Sequence, residues 1–217
     1  MASTIITVAT MKGGSGKSTV ASCLAVYWHL CGRRPTLMDA DPQRSIMRIA
    51  ARESALGGVT VVEDATAEAS ATARRLSQSG GPLIIDTPGF RSKTTLDCMA
   101  AADFVLVPVR ASPFDIDRML DMLSMLTDRA EGRGQLFRCL LTQTTRDSVI
   151  ARHIRAELVE AGLPVLRTEM TNRVAYPEAN LWGATPSLTG RQGPAAREIA
   201  ALADEIDFVL GTKQAAA

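Results

Sequence analysis

The stretch "MKGGSGKST", residues 11–19, decides the fold. It follows the β-branched run "IITVAT" at 5–10 and precedes a segment with helical apolar spacing at 18–30. Glycines at 13, 14 and 16 let the backbone turn its N–H groups around phosphate oxygens, and the positive end of the following helix dipole adds to that attraction. The stretch therefore predicts a phosphate-binding loop between a strand and a helix.

Two of the four lysines of the chain, Lys12 and Lys17, lie in this stretch. Lys17 occupies the position that binds β- and γ-phosphates in such loops, and the hydroxyl of Ser18 occupies the position that ligates Mg²⁺. Lysine is scarce while arginine is abundant, so two lysines this close together indicate a chemical purpose for both. An ordinary phosphate loop has no need of Lys12, a second cation ahead of its first glycine.

Short aliphatic runs alternate with longer segments of helical spacing in the rest of the chain. The predicted strands lie at 5–10, 35–40, 59–64, 82–87, 103–109, 136–143 and 163–170. The predicted helices lie at 18–30, 44–52, 67–78, 114–129, 148–161 and 194–210, and residues 176–193 are predicted to form a long loop. This alternation is typical of an α/β fold whose mostly parallel, twisted sheet carries helices on both faces.

Length and composition limit the classes of protein. The 217 residues suffice for one α/β domain, which we place at 1–211, followed by a disordered tail at 212–217. The sequence has no secretory leader pattern and no run of 18 apolar residues, which predicts a cytoplasmic protein without membrane contact. The formal net charge of +1 requires any DNA contact to come from a local patch. The four scattered cysteines are expected to be reduced structural thiols.

Two further motifs place carboxylates at strand ends. "LMDADPQ" at 37–43 delivers Asp39 and Asp41, and alternation along a strand would put both on the same side, near the metal and the γ-phosphate. "PLIIDTPG" at 82–89 ends its apolar strand at Asp86, the position of an outer-shell Mg²⁺ ligand. The predicted metal ligands are Ser18, Asp39, Asp41 and Asp86.

In this order, the motifs resemble the deviant Walker A group of P-loop ATPases, and most closely the ParA-type partition ATPases. The matching patterns are KGGxGKS at 12–18, D-x-D-P-Q at 39–43, the strand ending in Asp86, V-P-V-x-x-S-P-x-D within 103–115, and "TNRVAYPEANLWGATP" at 171–186. Because the chain begins at its first strand, the resemblance is to the small form without an N-terminal DNA-binding extension. It covers nearly the whole chain and implies a single P-loop NTPase domain.

The resemblance implies a site for ATP or ADP with Mg²⁺. In this family the lysine ahead of the glycines reaches across a nucleotide-sandwich dimer to the partner's ATP, a role that falls to Lys12. Asp41 matches the carboxylate that positions the attacking water, and Asp39 matches its neighbour near Mg²⁺. The implied catalytic residues are Lys12, Lys17 and Asp41, and the implied nucleotide-binding residues are Lys12, Gly13, Gly14, Ser15, Gly16, Lys17, Ser18, Thr19 and Pro186.

The resemblance also implies partners. They are a second copy of the chain in an ATP-dependent homodimer, a ParB-like or cargo-adaptor protein that stimulates slow hydrolysis, and non-specific DNA of the nucleoid. The candidate DNA contacts are Arg173 and Arg191, with Arg167 and Arg197 as weaker ones. The alternative for these arginines is pairing with Glu169, Glu178 or Glu198. The sequence leaves the cargo open, whether plasmid, chromosome or large protein assembly.

Two other functions stay open at this point. One is a metabolic P-loop ligase or synthetase that activates a carboxylate, although no further motif supports it. The other is an iron–sulfur redox ATPase of the nitrogenase iron protein type, with Cys98 and Cys139 as ligands, although neither has the flanking glycines expected there. Thr10 and Met11 also depart from the Asn-Gln that is more usual ahead of the lysine. The C-terminus lacks the basic amphipathic pattern of a membrane-bound relative.

Overall fold

The computed structural model describes residues 4–10, 13–89, 92–110 and 136–216, with side chains to residue 211. Lys12 and the predicted helix at 114–129 lie outside the described residues.

Seven parallel strands form one sheet in the described part of the chain. They are β1 (Ile5–Val8), β2 (Thr36–Asp39), β3 (Thr60–Glu63), β4 (Leu83–Asp86), β5 (Phe104–Arg110), β6 (Leu136–Thr144) and β7 (Val165–Thr171). Their order across the sheet is β3-β2-β4-β1-β5-β6-β7, and every neighbouring pair is parallel. Each strand overlaps a predicted one, so the predicted strands are confirmed.

Helices connect the strands. In the described residues they are α1 (Lys17–Leu30), α2 (Ser45–Ala50), α3 (Ala69–Leu76), α4 (Lys93–Ala101), α5 (Val149–Glu160), α6 (Ala175–Leu181), α7 (Pro186–Thr189) and α8 (Pro194–Ala216). Short 3₁₀ turns at Ala55–Gly58 and Ser77–Ser79 complete the connections. Within these ranges no helix has the length and apolar character needed to cross a bilayer.

The prediction of a long loop at 176–193 is wrong, because this segment contains most of α6 and all of α7. Pro177 and Pro186 indicated a loop, yet each lies in the first turn of its helix. Proline is tolerated there because the N–H it lacks would have no partner within the helix.

Two other helices differ from the prediction. The sequence did not predict α4, because its Thr-Thr pair has weak helical propensity. The helix is packed onto the sheet through the buried side chains of Cys98 and Met99. The backbone of α8 is helical to Ala216, six residues past the predicted end at Leu210. Lysine, glutamine and alanine at 213–216 are good helix formers and outweigh Gly211. The domain limits and the disorder of the tail stay predictions.

Different helices cover the two faces of the sheet, and strand alternation decides which side chains meet them. On β5, Val105 and Val107 pack into the apolar layer beneath α3, α4 and α5. Phe104 and Leu106, which point the opposite way, pack into the layer that contains α1 and α8. The expected α/β class with helices on both faces is confirmed.

The sheet order brings the carboxyl ends of three strands together. β4 lies between β2 and β1, so Asp86 is paired in register with Asp39 on one side and with Val8 on the other. After β1 the chain crosses β4 to reach β2, and after β4 it crosses β1 in the opposite direction to reach β5. Such a reversal opens a crevice at the carboxyl ends of the strands, where ligands bind in α/β sheets.

Thiol reactivity tests the packing of the two layers. Cys23, Cys98 and Cys139 are buried, whereas Cys31 is exposed. Burial raises the pKa of Cys98 and of Cys139 to about 12, and because the thiolate is the nucleophile, both should react slowly. Brief iodoacetamide treatment at pH 8 should alkylate Cys31 alone in the folded protein and all four cysteines in urea, as read by mass spectrometry. Native labelling of Cys98 at the rate of Cys31 would contradict this packing.

Candidate nucleotide-binding site

The glycine loop joins β1 to α1 in a conformation that favours glycine. Gly14 and Gly16 have φ angles of 83° and 85°, in the left-handed region where a side chain would be strained. Gly16 directly precedes α1, and no side chain of a described residue caps that first turn. Its N–H groups and the positive end of the helix dipole are therefore available to an anion.

Two side chains near the end of β6 donate hydrogen bonds to backbone carbonyls of this loop. The Thr142 hydroxyl donates to the carbonyl of Ser15 over 2.8 Å, and the Gln143 side-chain amide donates to the carbonyl of Gly14 over 2.6 Å. Since C=O and N–H point in opposite directions across a trans peptide, these bonds turn the next N–H groups away from β6. Thr142 and Gln143 are not among the predicted site residues, because the one signal for them in the sequence is a change from apolar to polar residues near the end of the strand.

Four predicted residues meet at the head of the loop. The ammonium of Lys17 lies 2.8 Å from Oδ1 of Asp86 and 3.4 Å from Oδ2 of Asp41. The hydroxyl of Ser18 donates to Oδ2 of Asp86 over 2.6 Å. Asp86 has no exposed surface. One cation, one hydroxyl and two carboxylates are thus gathered where β4 and β1 end.

These oxygens suit a magnesium ion bound together with phosphates. Burial raises the pKa of Asp86 to about 6, although the charge of Lys17 and the hydrogen bonds from Lys17 and Ser18 act in the opposite direction. Mg²⁺ prefers oxygen ligands, and in phosphate sites it takes one or two of them from the protein and the rest from phosphate and water. Ser18 and Asp86 provide such a pair, and Asp41 lies beside the same lysine.

Asp39 differs from its prediction. It is fully buried, and its two oxygens accept the backbone N–H groups of Asp41 and Met47 at 3.1 and 3.0 Å. β2 ends at Asp39, so strand alternation does not extend to Asp41 and does not decide the direction of its side chain. Burial raises the pKa of Asp39, against the opposing effect of these hydrogen bonds. The role of Asp39 in the structure is to hold the backbone of the Asp41 segment.

Two adjoining cavities surround the start of α1. The first, of about 340 Å³, is lined by 13–19 of the glycine loop together with Asp41 and Gln43. The second, of about 250 Å³, shares Gly16 and Thr19 with the first and continues along the ends of β6 and β7 to α6. The loop residues predicted to bind nucleotide, Gly13, Gly14, Ser15, Gly16, Lys17, Ser18 and Thr19, all line the first cavity.

Pro186 does not join them. It is buried at the first position of α7 and lies outside the residues that line either cavity. The wall of the second cavity is instead formed by Asn172, Tyr176 and Asn180, together with neighbouring residues of β6 and β7. The sequence predicts the stretch after Leu166 as a wall of the base site, and these residues lie in that stretch, although the part that forms α6 is predicted as a loop.

The four predicted arginines fall into two groups. Arg173 lines the second cavity and is paired with Glu198, with 2.6 Å between Nη2 and Oε1, and Arg167 lies 3.7 Å from Glu205. Arg191 and Arg197 are exposed and form no ion pair with any described residue. The charge of Arg173 is therefore neutralised within the chain, and Arg191 is the stronger candidate for DNA contact.

The structure does not favour a bridging cluster. Cys98 of α4 and Cys139 of β6 are both buried in the apolar layer beneath α3, α4 and α5. Burial raises their pKa to about 12, which opposes the thiolate form that ligates iron. In the described ranges no three His, Cys, Asp or Glu side chains are grouped to hold a metal ion by themselves.

Comparisons with known proteins agree with this geometry. Residues 6–185 match the family described as the CobQ/CobB/MinD/ParA nucleotide binding domain. Protein ParA of Rhizobium radiobacter is 27% identical over 90% of both chains, and the chromosome-partitioning ATPase Soj of Thermus thermophilus is 30% identical over 93% of this chain and 94% of Soj. The solved structure of the septum site-determining protein MinD with Mg-ADP, from Pyrococcus horikoshii, superposes with a TM-score of 0.73 at 16% identity, covering 97% of this chain and 98% of MinD.

Asp86 should give the free energy of unfolding a distinctive pH dependence. Its pKa rises from 3.8 to about 6 on folding, so between these values the folded chain holds the proton more tightly than the unfolded chain. The contribution of this group is fully present below pH 3.8 and is lost as the pH rises through 6, a change of about 3 kcal/mol. Urea unfolding in EDTA should show this component in the wild type and not in Asp86→Asn. Parallel pH profiles for the two proteins would contradict the burial of this carboxylate.

Proposed function

Because the chain belongs to the CobQ/CobB/MinD/ParA family of nucleotide-binding domains and resembles its partition ATPases over most of its length, we propose that it is an ATP-gated switch. In this proposal it binds ATP with Mg²⁺, dimerises, binds non-specific DNA and positions a cargo until a partner protein stimulates hydrolysis. The observation that carries the proposal is the cluster of Lys17, Ser18 and Asp86 at the start of an uncapped helix.

The triphosphate occupies the first cavity in this proposal. Its oxygens accept N–H groups of the loop and of the first turn of α1, and Lys17 exchanges the oxygens of Asp86 and Asp41 for those of the β- and γ-phosphates. Ser18 and Asp86 hold Mg²⁺, which supplies the charge that stabilises the transferring phosphoryl group. The charge of Lys17 stays compensated in this exchange, because phosphate oxygens replace the carboxylate oxygens of Asp86 and Asp41 as its negatively charged partners.

The base occupies the second cavity, which adjoins the first at Gly16 and Thr19. Tyr176 and Met170 provide apolar surface for a flat ring, while Asn172 and Asn180 provide amide donors and acceptors for the ring edge. The first cavity is polar and the second is partly apolar, so the two together fit a nucleotide better than they fit phosphate alone.

Asp41 is the group that orients the attacking water. It lines the first cavity. Its Oδ1 accepts the backbone N–H of Gln43, and Oδ1 of Asp39 accepts the backbone N–H of Asp41. These bonds hold the segment from Asp39 to Gln43 in one shape. A carboxylate that orients water without a stronger base gives slow turnover, which suits a timed switch.

Lys12 completes the site of a second copy of the chain. It directly precedes Gly13, which lines the first cavity, and it supplies a cation for which the loop has no use of its own. Two ATP-bound copies that meet across their cavities would each gain this charge near the partner's phosphates, where a desolvated cation stabilises the transition state. Dimerisation then depends on ATP.

Lysine variants separate binding from dimerisation. Lys17→Ala should lower ATP affinity by about 100-fold, because a charge-assisted contact to phosphate is lost in a partly buried site. Lys12→Ala should keep ATP affinity within about threefold but lose the ATP-dependent dimer and most of the turnover. The measurements are equilibrium dialysis with labelled ATP and light scattering coupled to size exclusion.

The matched control is Lys93→Ala, which removes a lysine of α4 that is 77% exposed and paired with Asp97. It should behave as the wild type in both measurements. An ATP-dependent dimer that survives in Lys12→Ala would refute the role assigned to this lysine.

DNA retention tests the exposed arginines. Arg191→Ala should weaken ATP-dependent binding to DNA of any sequence and lower the slope of log affinity against log salt by about 1 per lost phosphate contact. Arg74→Ala, an exposed arginine of α3 on the opposite face of the sheet, is the control and should change neither. If ATP produces no retention at low salt and a small carboxylic acid accelerates turnover instead, the ligase alternative is favoured.

A further inference from the structure

Glu198 of α8 collects an unusual number of donors for one carboxylate. It accepts the backbone N–H and the hydroxyl of Thr171 at 3.2 and 2.8 Å, and the hydroxyl of Tyr176 at 2.9 Å. It also accepts Nε and Nη2 of Arg173 at 2.9 and 2.6 Å. The side chain of Glu198 is only 15% exposed, so these bonds replace almost all of its hydration.

All three partners of Glu198 line the second cavity, whereas Glu198 itself does not. Thr171 ends β7, Tyr176 belongs to the first turn of α6, and Arg173 lies between them. The carboxylate therefore ties the whole turn from β7 to α6 to the start of α8. The neighbouring Asn172 and Asn180 lie on the same wall, so their positions depend on that turn.

The chemistry of these bonds requires a carboxylate. Every partner is a donor, and a carboxylate accepts on both oxygens, whereas an amide of the same shape accepts on one atom and donates from the other. Burial raises the pKa of Tyr176, and the negative charge of Glu198 raises it further, which keeps the tyrosine protonated as a donor. The hydrogen bond to Glu198 likewise raises the pKa of Arg173.

We propose that Glu198 is a positioning residue for the base end of the nucleotide site, which makes the chain prefer a complete adenine nucleotide over its phosphate chain alone. The inference rests on the proposed function and extends it to a residue about 180 positions after the glycine loop. Glu198 touches neither phosphate nor metal in this scheme, so its effect is confined to the base.

Glu205 is a matched control on the same helix. It accepts the backbone N–H groups of Arg167 and Thr168 at 2.7 and 2.9 Å, and so ties α8 to the same strand β7 with the same kind of bond. Arg167 and Thr168 do not line the second cavity. A general loosening of α8 against β7 would follow from either variant, whereas a change in base recognition would follow only from Glu198→Gln.

The experiment compares two probes, ATP and inorganic tripolyphosphate, each with Mg²⁺, by isothermal titration calorimetry on the full chain. In Glu198→Gln the ratio of ATP affinity to tripolyphosphate affinity should fall about tenfold, through loss of ATP affinity with tripolyphosphate unchanged within twofold. In Glu205→Gln the ratio should match the wild type. Glu198→Asp keeps the charge but withdraws it by one methylene, and its ratio should lie between those of Glu198→Gln and the wild type.

A wild-type ratio in folded Glu198→Gln would overturn the inference, as would an equal loss of affinity for both probes. If Glu198→Gln does not fold, Glu198→Asp decides, and a wild-type ratio in that variant would overturn the inference. Failure of the wild-type protein to bind ATP would overturn the proposed function, and this inference with it. Normal wild-type binding with an unchanged ratio in the variants would overturn this inference alone.

Discussion

The buried contact between Lys17 and Asp86 is the constraint on which the rest of the site depends. A carboxylate without exposed surface must be compensated, and removal of one partner from such a pair leaves an uncompensated charge in the protein interior. Lys17 arrives with α1 and Asp86 with β4, so the pair can form only because β4 lies beside β1. The same placement brings Ser18 to the other oxygen of Asp86. Sheet topology and site chemistry are therefore linked through a single ion pair.

The two ends of the site are built by different halves of the sheet. On one side β1, β2 and β4 deliver the lysine, the hydroxyl and the carboxylates that suit phosphate and metal. On the other side β6, β7, α6 and α8 form a half-apolar slot whose wall is tied together by Glu198. The glycine loop lies between the two halves and is held by bonds from the end of β6. A nucleotide that spans both cavities would contact both halves at once.

Charge is distributed so that little of it acts at long range. The formal net charge is +1, and Arg173, Arg155 and Arg33 are each paired with a carboxylate. Exposed arginines without an ion pair to a described residue, such as Arg191 and Arg197, are thus the ones able to attract phosphates. In the proposed dimer these arginines would be present twice, and their attraction for phosphates would become tighter and more steeply dependent on salt.

The sequence by itself determined the glycine loop, the seven strands and the helices on both faces, because local spacing and strand alternation are encoded in neighbouring residues. The motifs singled out Lys17, Ser18 and Asp86, but their contact depends on the placement of β4 beside β1. Only the tertiary structure decided the role of Asp39, whose strand ends two residues before Asp41, too soon for alternation to place that carboxylate. The same holds for α6, hidden by a proline in its first turn, and for the pairing of Arg173 with Glu198 instead of with a ligand. These features depend on contacts between segments far apart in the chain, and such contacts leave no period in a sequence.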